Sequence, residues 1–312
     1  MALKSLSVGR GVALSLVSLT LLGVMPIISN LRPSEMGALS FAFALSVWQV
    51  VFAAPVFGFE LWRGTRGIFG LELTHWERRR MIFVAFFTGA LFGLSTYLYV
   101  LGVEKAGAAN AAIAIQAYPL FAILWESLFL KRRKTPFELA LTAILIGTLY
   151  YLGTGGTFLM SGISPWFLVS LGVPILWSIA HVIIKEELSN TPITPAQVTF
   201  FRVAISTLFL MAILALAVPS GVALGISAVF QTMSAIMGLV YFLELIVWFY
   251  AVRHIDVSLA SSITTPWPAL TMALSVPLLG DSVQAYQSAA LLGVVACIYG
   301  LTLAGRRKGA AS

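Results

Sequence analysis

Residues 239–281 read LVYFLELIVWFYAVRHIDVSLASSITTPWPALTMALSVPLLGD. Two apolar spans of about twenty residues each, the length that crosses a bilayer, are joined here by a short charged turn. Glu244 stands near the centre of the first span, and Pro266 and Pro268 stand within the second. Residues 94–131 repeat the pattern as LSTYLYVLGVEKAGAANAAIAIQAYPLFAILWESLFLK. Val103 is as far from Pro119 as Val252 is from Pro268. In both copies a charged turn leads into a small-residue helix with a proline in its second half. A repeat of this kind within an apolar chain points to a duplicated membrane bundle.

Composition agrees. The 312 residues are 59% hydrophobic and only 10% charged, with a mean hydropathy of +0.96. A soluble domain carries about 25% charged residues, so most of this chain's solvent is lipid. The formal charge of +7 does not point to nucleic acid, because the basic residues sit in short loops beside apolar spans, where they set orientation. Cys297, the single cysteine, has no intrachain partner and reads as a buried apolar residue. Lys4 and Arg10 precede an apolar run from Gly11 to Ser29 that has some features of a signal peptide. The run is longer than a signal core and no small-x-small cleavage site follows it, so it reads as the first membrane helix.

Ten spans are expected, at 11–30, 38–57, 81–102, 107–129, 137–153, 165–184, 196–217, 233–252, 258–279 and 285–304. The runs are too long for the strands of an outer-membrane barrel and lack their alternation. With the N-terminus inside, every lysine and arginine falls in an inside segment except Arg32, Lys105 and the intrahelical Arg202. So strong a bias supports ten spans with both termini cytoplasmic. Five spans per half is odd, so the second half enters the membrane from the opposite side and the repeats are inverted. The chain divides into a first five-helix repeat at 1–153, a linker at 154–164 and a second repeat at 165–312.

These residues resemble the drug/metabolite transporter superfamily, EamA type. The pattern is carried by WFYAVRHIDVSLASSITTPWPALTMALSVPLLGD from Trp248 and YVLGVEKAGAANAAIAIQAYPLFAIL from Tyr99, with LWSIAHVIIK at 176–185 and FFRVAIS around Arg202. The family's Gly-Glu pair after the proline helix is Leu130-Lys131 in the first repeat and Gly280-Asp281 in the second. FALSVWQVV in the second span offers no arginine to match Arg202. The resemblance implies a ten-helix, all-α integral membrane transporter. Spans one to four and six to nine would surround the substrate, with five and ten peripheral. It further implies export from a bacterial cytoplasm through the inner membrane.

The candidate residues follow from what lipid makes costly. A carboxylate at mid-bilayer costs about 2.5 kcal/mol or more on insertion scales, so Glu244 should face the bundle interior. Tyr241, Glu244 and Trp248 share one helix face. Glu244 is either a proton- or cation-responsive group or a structural acid bonded to a neighbouring helix. Arg202 is a candidate for a substrate carboxylate or phosphate; it could equally snorkel to the interface or pair with Glu187 or Glu244. Glu126, beside the basic cluster from Lys131, suits a structural role. Gln116 and Thr265 are equivalent across the repeats, each three residues before the shared proline. A proline frees a carbonyl one turn earlier, so polar side chains there either line a cavity or cap the kink. Pro119, Pro266 and Pro268 are the expected kinks. Trp48, Tyr97, Tyr99, Tyr118, Trp177, Trp248 and Trp267 are candidates for a stacking pocket or for interfacial belts, Trp248 and Trp267 foremost. His181, four residues after Trp177, is a candidate titrating group or a hydrogen-bonded structural one.

The three histidines are too dispersed for a zinc motif, and no phosphate-binding loop, nucleophile elbow or dinucleotide fingerprint is present. No metal and no cofactor is expected. The sequence reads as a secondary transporter of a small metabolite such as an amino acid, working by alternating access. Its partners are that small-molecule substrate and the lipid bilayer, and proton coupling and a homodimer are both compatible with it. Three rivals stay open. A membrane enzyme would need a His/carboxylate cluster, a structural or signalling membrane protein would bind no substrate, and a nucleotide-sugar carrier would want more internal base than Arg202.

Overall fold

The computed structural model describes residues 2–33, 37–70, 74–118, 120–121, 124–125, 135–217, 227–255 and 257–311. Side chains are described for all of these except 2–8, 185–186, 188–189, 257–259 and 305–311. Pro119, Glu126, the Leu130-Lys131 pair and its basic cluster lie outside the described residues. The described chain is helical, with no strand in it.

Its helices are α1 Ala2–Asn30, α2 Ala38–Trp62, α3 His75–Ala106, α4 Ala108–Ile115, α5 Pro136–Gly153, α6 Pro165–Asn190, α7 Pro195–Ala217, α8 Ala228–His254, α9 Val257–Thr264, α10 Trp267–Leu279 and α11 Ala285–Ala311. Eight of them are long and apolar enough to cross a membrane. The expected fourth and ninth spans account for the difference. The ninth is cut into α9 and α10 at Thr265-Pro266, and the helix of the fourth stops after Ile115 and resumes at Tyr118. Residues 116–117 and 265–266 are equivalent by the spacing that relates Val103 to Val252. The expected kink is therefore a break, placed alike in both repeats. Pro266 and Pro268 lack the N–H that would continue the ladder. In the fourth span the chain tightens instead, with Gln116 N–H donating to Ile113 O at 3.1 Å and Ala117 N–H to Ala114 O at 3.0 Å.

Several helices extend beyond their apolar cores. α3 begins at His75 rather than 81 because Thr74 caps it, accepting from Glu77 N–H at 3.3 Å while Glu77 accepts from Thr74 N–H at 2.9 Å. Gly107 joins α3 to α4 at φ +84°, a backbone that a residue with a Cβ adopts only under strain.

Packing follows a two-fold pattern. α1 lies along α8 as α6 lies along α3, and α2 crosses α8 as α7 crosses α3. α2 with α7, and α5 with α11, pair across the axis. Equivalent glycines make the crossings close. A Cβ on Gly89 would come within 2.5 Å of Ile205, and one on Gly238 within 2.6 Å of Trp48. Lipid supplies no hydrophobic drive between helices, so close approach through small residues holds them together. Many large apolar side chains are exposed, including Phe83, Leu168, Leu208 and Leu292, as a surface facing hydrocarbon allows.

Candidate functional site

A cavity of about 90 Å³ opens where the broken spans meet α6, α7 and α8. About 10–15 Å³ is enough for one water, so it admits several waters or a small ligand. Leu22 of α1 and Ile115, Gln116 and Tyr118 of the fourth span line it. So do Trp177 and His181 of α6, Arg202 of α7, and Tyr241, Glu244, Leu245 and Trp248 of α8. Ser261 and Thr264 of α9, with Thr265 and Trp267 at the break, complete it.

Ten candidates are thus brought together: Glu244, Trp248, Tyr241, Gln116, Thr265, Trp267, Arg202, Trp177, His181 and Tyr118. Tyr97, Tyr99 and Trp48 are not among the lining residues. They belong to α3 and α2, helices expected around the substrate that contribute nothing to the lining. Trp48 donates to Gln231 Oε1 at 3.3 Å and stacks on Phe52. Tyr99 is 2% exposed and lies within electrostatic reach of Tyr241 and Glu244. α5 and α11, expected as peripheral, also leave the lining to others.

The charged groups are held differently. Glu244 accepts a hydrogen bond at Oε1 from the Ser18 hydroxyl of α1 at 3.0 Å. Arg202 neither snorkels nor pairs with Glu187, which takes Arg80 at 2.8 Å. Its guanidinium carbon lies 3.4 Å from the centroid of Phe92 and 5.9 Å from that of Tyr241. Phe92 and Tyr241 are equivalent across the repeats, so one cation is flanked by a repeat-related pair of rings. Arg202 Nη1 and the Tyr241 and Tyr99 hydroxyls make no hydrogen bond among the described residues. His181 sits among rings, 5.3 Å from Phe92, 5.8 Å from Tyr118 and 6.3 Å from Trp177.

The same spacing makes Ser95 the counterpart of Glu244. Ser95 accepts from Trp177 Nε1–H at 2.9 Å. The two bonds join equivalent helix pairs, α6 to α3 and α1 to α8, but only the second repeat places a carboxylate there. At the break Thr265 does what both readings asked of it. Its hydroxyl bonds Ser261 O at 2.7 Å while the residue lines the cavity. Ser18, Phe92, Ser261 and Thr264 have no place among the sequence candidates. No spacing singles out one serine among many in an apolar helix, and Phe92 looks like core until Arg202 is found against it.

Two repeats, broken helices facing one another and a largely apolar cavity with charged groups at the breaks together define a membrane transporter fold. The model of the EamA-like transporter family matches residues 9–154 and 164–304. The chain belongs to that family, and with it to the drug/metabolite transporter superfamily. A structure described as "Crystal structure of protein" is similar to it at a TM-score of 0.62 and 17% sequence identity, over 95% of this chain and 98% of that one. At that identity the likeness extends to the fold alone. No curated protein matches the chain.

Proposed function

We propose that this membrane protein is a secondary transporter that exports a small polar or amphipathic metabolite, such as an amino acid, by alternating access. One observation carries the reading: Arg202 and Glu244, 5% and 7% exposed, line a single cavity at the breaks of both repeats. Charge at membrane depth is costly and marks substrate or ion pathways. Rocking of one repeat against the other about the breaks would open the cavity to each side in turn. The excess of basic residues in the loops expected inside supports cytoplasmic termini, and the family resemblance supports a bacterial inner membrane. Glu244 serves either as the coupling group or as a ligand for a substrate amine.

Ligand-dependent melting of the purified protein tests this, with a panel of amino acids, amines, carboxylates, nucleosides and flavins. A ligand bound only by the folded state stabilises it by about 2.7 kcal/mol at a hundred times its dissociation constant. A selective hit that is carried across proteoliposome membranes supports the proposal. A folded protein that responds to nothing in the panel overturns the small-metabolite reading.

A further inference from the structure

We infer that the cavity takes its ligand as a zwitterion, with the anionic group on Arg202 and Tyr241 and the cationic group on Glu244. The inference rests on the transport reading above and assigns the ends of the substrate. Ion pairs among the described residues are Arg32 with Glu104, Arg80 with Glu187 and Lys105 with Glu104. Arg202 and Glu244 line the same cavity without pairing, each held by a neutral neighbour. Phe92 and Tyr241 flank the guanidinium with ring faces, and Ser18 gives the carboxylate one hydroxyl.

Two donors here want an acceptor. Arg202 Nη1 and the Tyr241 hydroxyl are both buried and lack a well-formed hydrogen bond among the described residues, on residues that are 5% and 2% exposed. Arg202 lies beside Tyr241, and Tyr241 beside Thr96. A buried donor left unmade is destabilising, the more so when charged. Both residues line the cavity, so an acceptor placed there satisfies both. A guanidinium presents a planar fork that fits a carboxylate. In the same cavity Glu244 is an acceptor of up to about four bonds, and Ser18 supplies one at Oε1.

A ligand with one charge meets only half of this. A bare carboxylate would bring its charge beside Glu244, and a bare amine would bring its charge beside Arg202. Within a membrane that repulsion is poorly screened. A molecule with both charges and no net charge answers both groups at once. Its uncharged remainder would lie against Trp177, Trp248 and Trp267, whose faces suit an apolar or planar group.

The test uses matched triplets on the full-length protein in nanodiscs: L-leucine with 3-methylbutylamine and 4-methylpentanoate, and L-phenylalanine with phenethylamine and 3-phenylpropanoate. Melting shifts titrated against each compound give relative affinities. For at least one triplet the zwitterion should bind roughly tenfold or more tightly than either analogue. Arg202→Gln should remove its advantage over the amine and Glu244→Gln its advantage over the acid. Arg202→Lys keeps the charge without the fork and should retain part of the first advantage, which separates charge recognition from misfolding. Equal binding of all three members in the wild type overturns the inference while leaving transport standing. So does an Arg202→Gln protein that weakens amine and zwitterion alike. A wild type that responds to neither triplet overturns the inference, and silence across the broader panel overturns the transport reading with it.

Discussion

The Arg202 guanidinium lies 3.4 Å from the centroid of Phe92, a ring contributed by the opposite repeat. The arrangement holds a cation inside the bundle with no acidic side chain at ion-pair distance among the described residues. A cation over an aromatic face contributes about 2 kcal/mol or more when desolvated. Phe92 is 1% exposed, so the ring is packing as well as counter-charge. Phe92→Leu should keep most of the packing and lose the electrostatic part. Ligand affinity should then fall roughly tenfold, with a modest drop in melting temperature. Phe92→Tyr restores a ring and should restore affinity. Titrations on both variants check this, and Phe92→Leu binding as tightly as wild type would reduce Phe92 to core.

Ser18 and Glu244 join the first helix of one repeat to the third helix of the other by a 3.0 Å hydrogen bond. Loss of a buried partner to a carboxylate costs about 1–3 kcal/mol. Ser18→Ala should therefore lower stability by about that much, and the loss should shrink when Glu244 is already glutamine. Melting curves of the two single variants and the double variant form the cycle that measures the coupling. Additive losses would show that the pair is not coupled.

The fold was legible because lipid penalises charge so strongly. Hydropathy and the spacing from Val103 to Val252 carry spans and duplication with no structural input, and the loop bias supplies an expected orientation. The candidates on the broken span and α8 were legible for a related reason. Glu244 stands out as a carboxylate in an apolar span, and Gln116 and Thr265 stand out by their place before the shared prolines. Trp48 and Tyr99 were not distinguishable from Trp177 and Trp248, since an aromatic residue in a membrane helix carries no mark of which face it occupies. Ser18 was illegible because its partner lies 226 residues away. The fate of Arg202 was equally hidden. Snorkelling, pairing and ring contact have the same sequence, and only the packing of α3 on α7 decides among them.

Loop 67–70 supplies a prediction about stability alone. Gln197 is fully buried. It donates to Arg66 O at 2.9 Å and accepts from Ile68 N–H at 3.2 Å and Thr194 N–H at 3.3 Å. Gly67 lies between the loop partners at φ +52°, where a Cβ would meet Gln197 Oε1 at 2.3 Å. Gln197→Ala leaves those backbone groups without their partner and should destabilise by about 1–3 kcal/mol. Gly67→Ala combines a strained backbone with that overlap and should destabilise by about 1–3 kcal/mol. Neither residue lines the cavity, so ligand affinity in the surviving folded protein should stay near wild type. Thermal unfolding with a ligand titration separates the two effects; a Gly67→Ala protein as stable as wild type would show that the loop yields freely.

The break at Thr265-Pro266 gives the last and most direct prediction. Pro266 and Pro268 withhold two N–H groups from the helix, and the cavity lies where α9 and α10 part. Replacing both by alanine returns those donors and the best helix former, so the ninth span should run on as one helix. Local stability should rise or hold. Transport should fall tenfold or more, because the polar groups at 264–265 would turn into the ladder and the hinge for rocking would be lost. Proteoliposome flux beside a melting curve reads both quantities. A variant that folds, binds ligand and transports at the wild-type rate would show that the break is incidental. A variant that melts higher and transports little would place the ninth-span break in the working cycle.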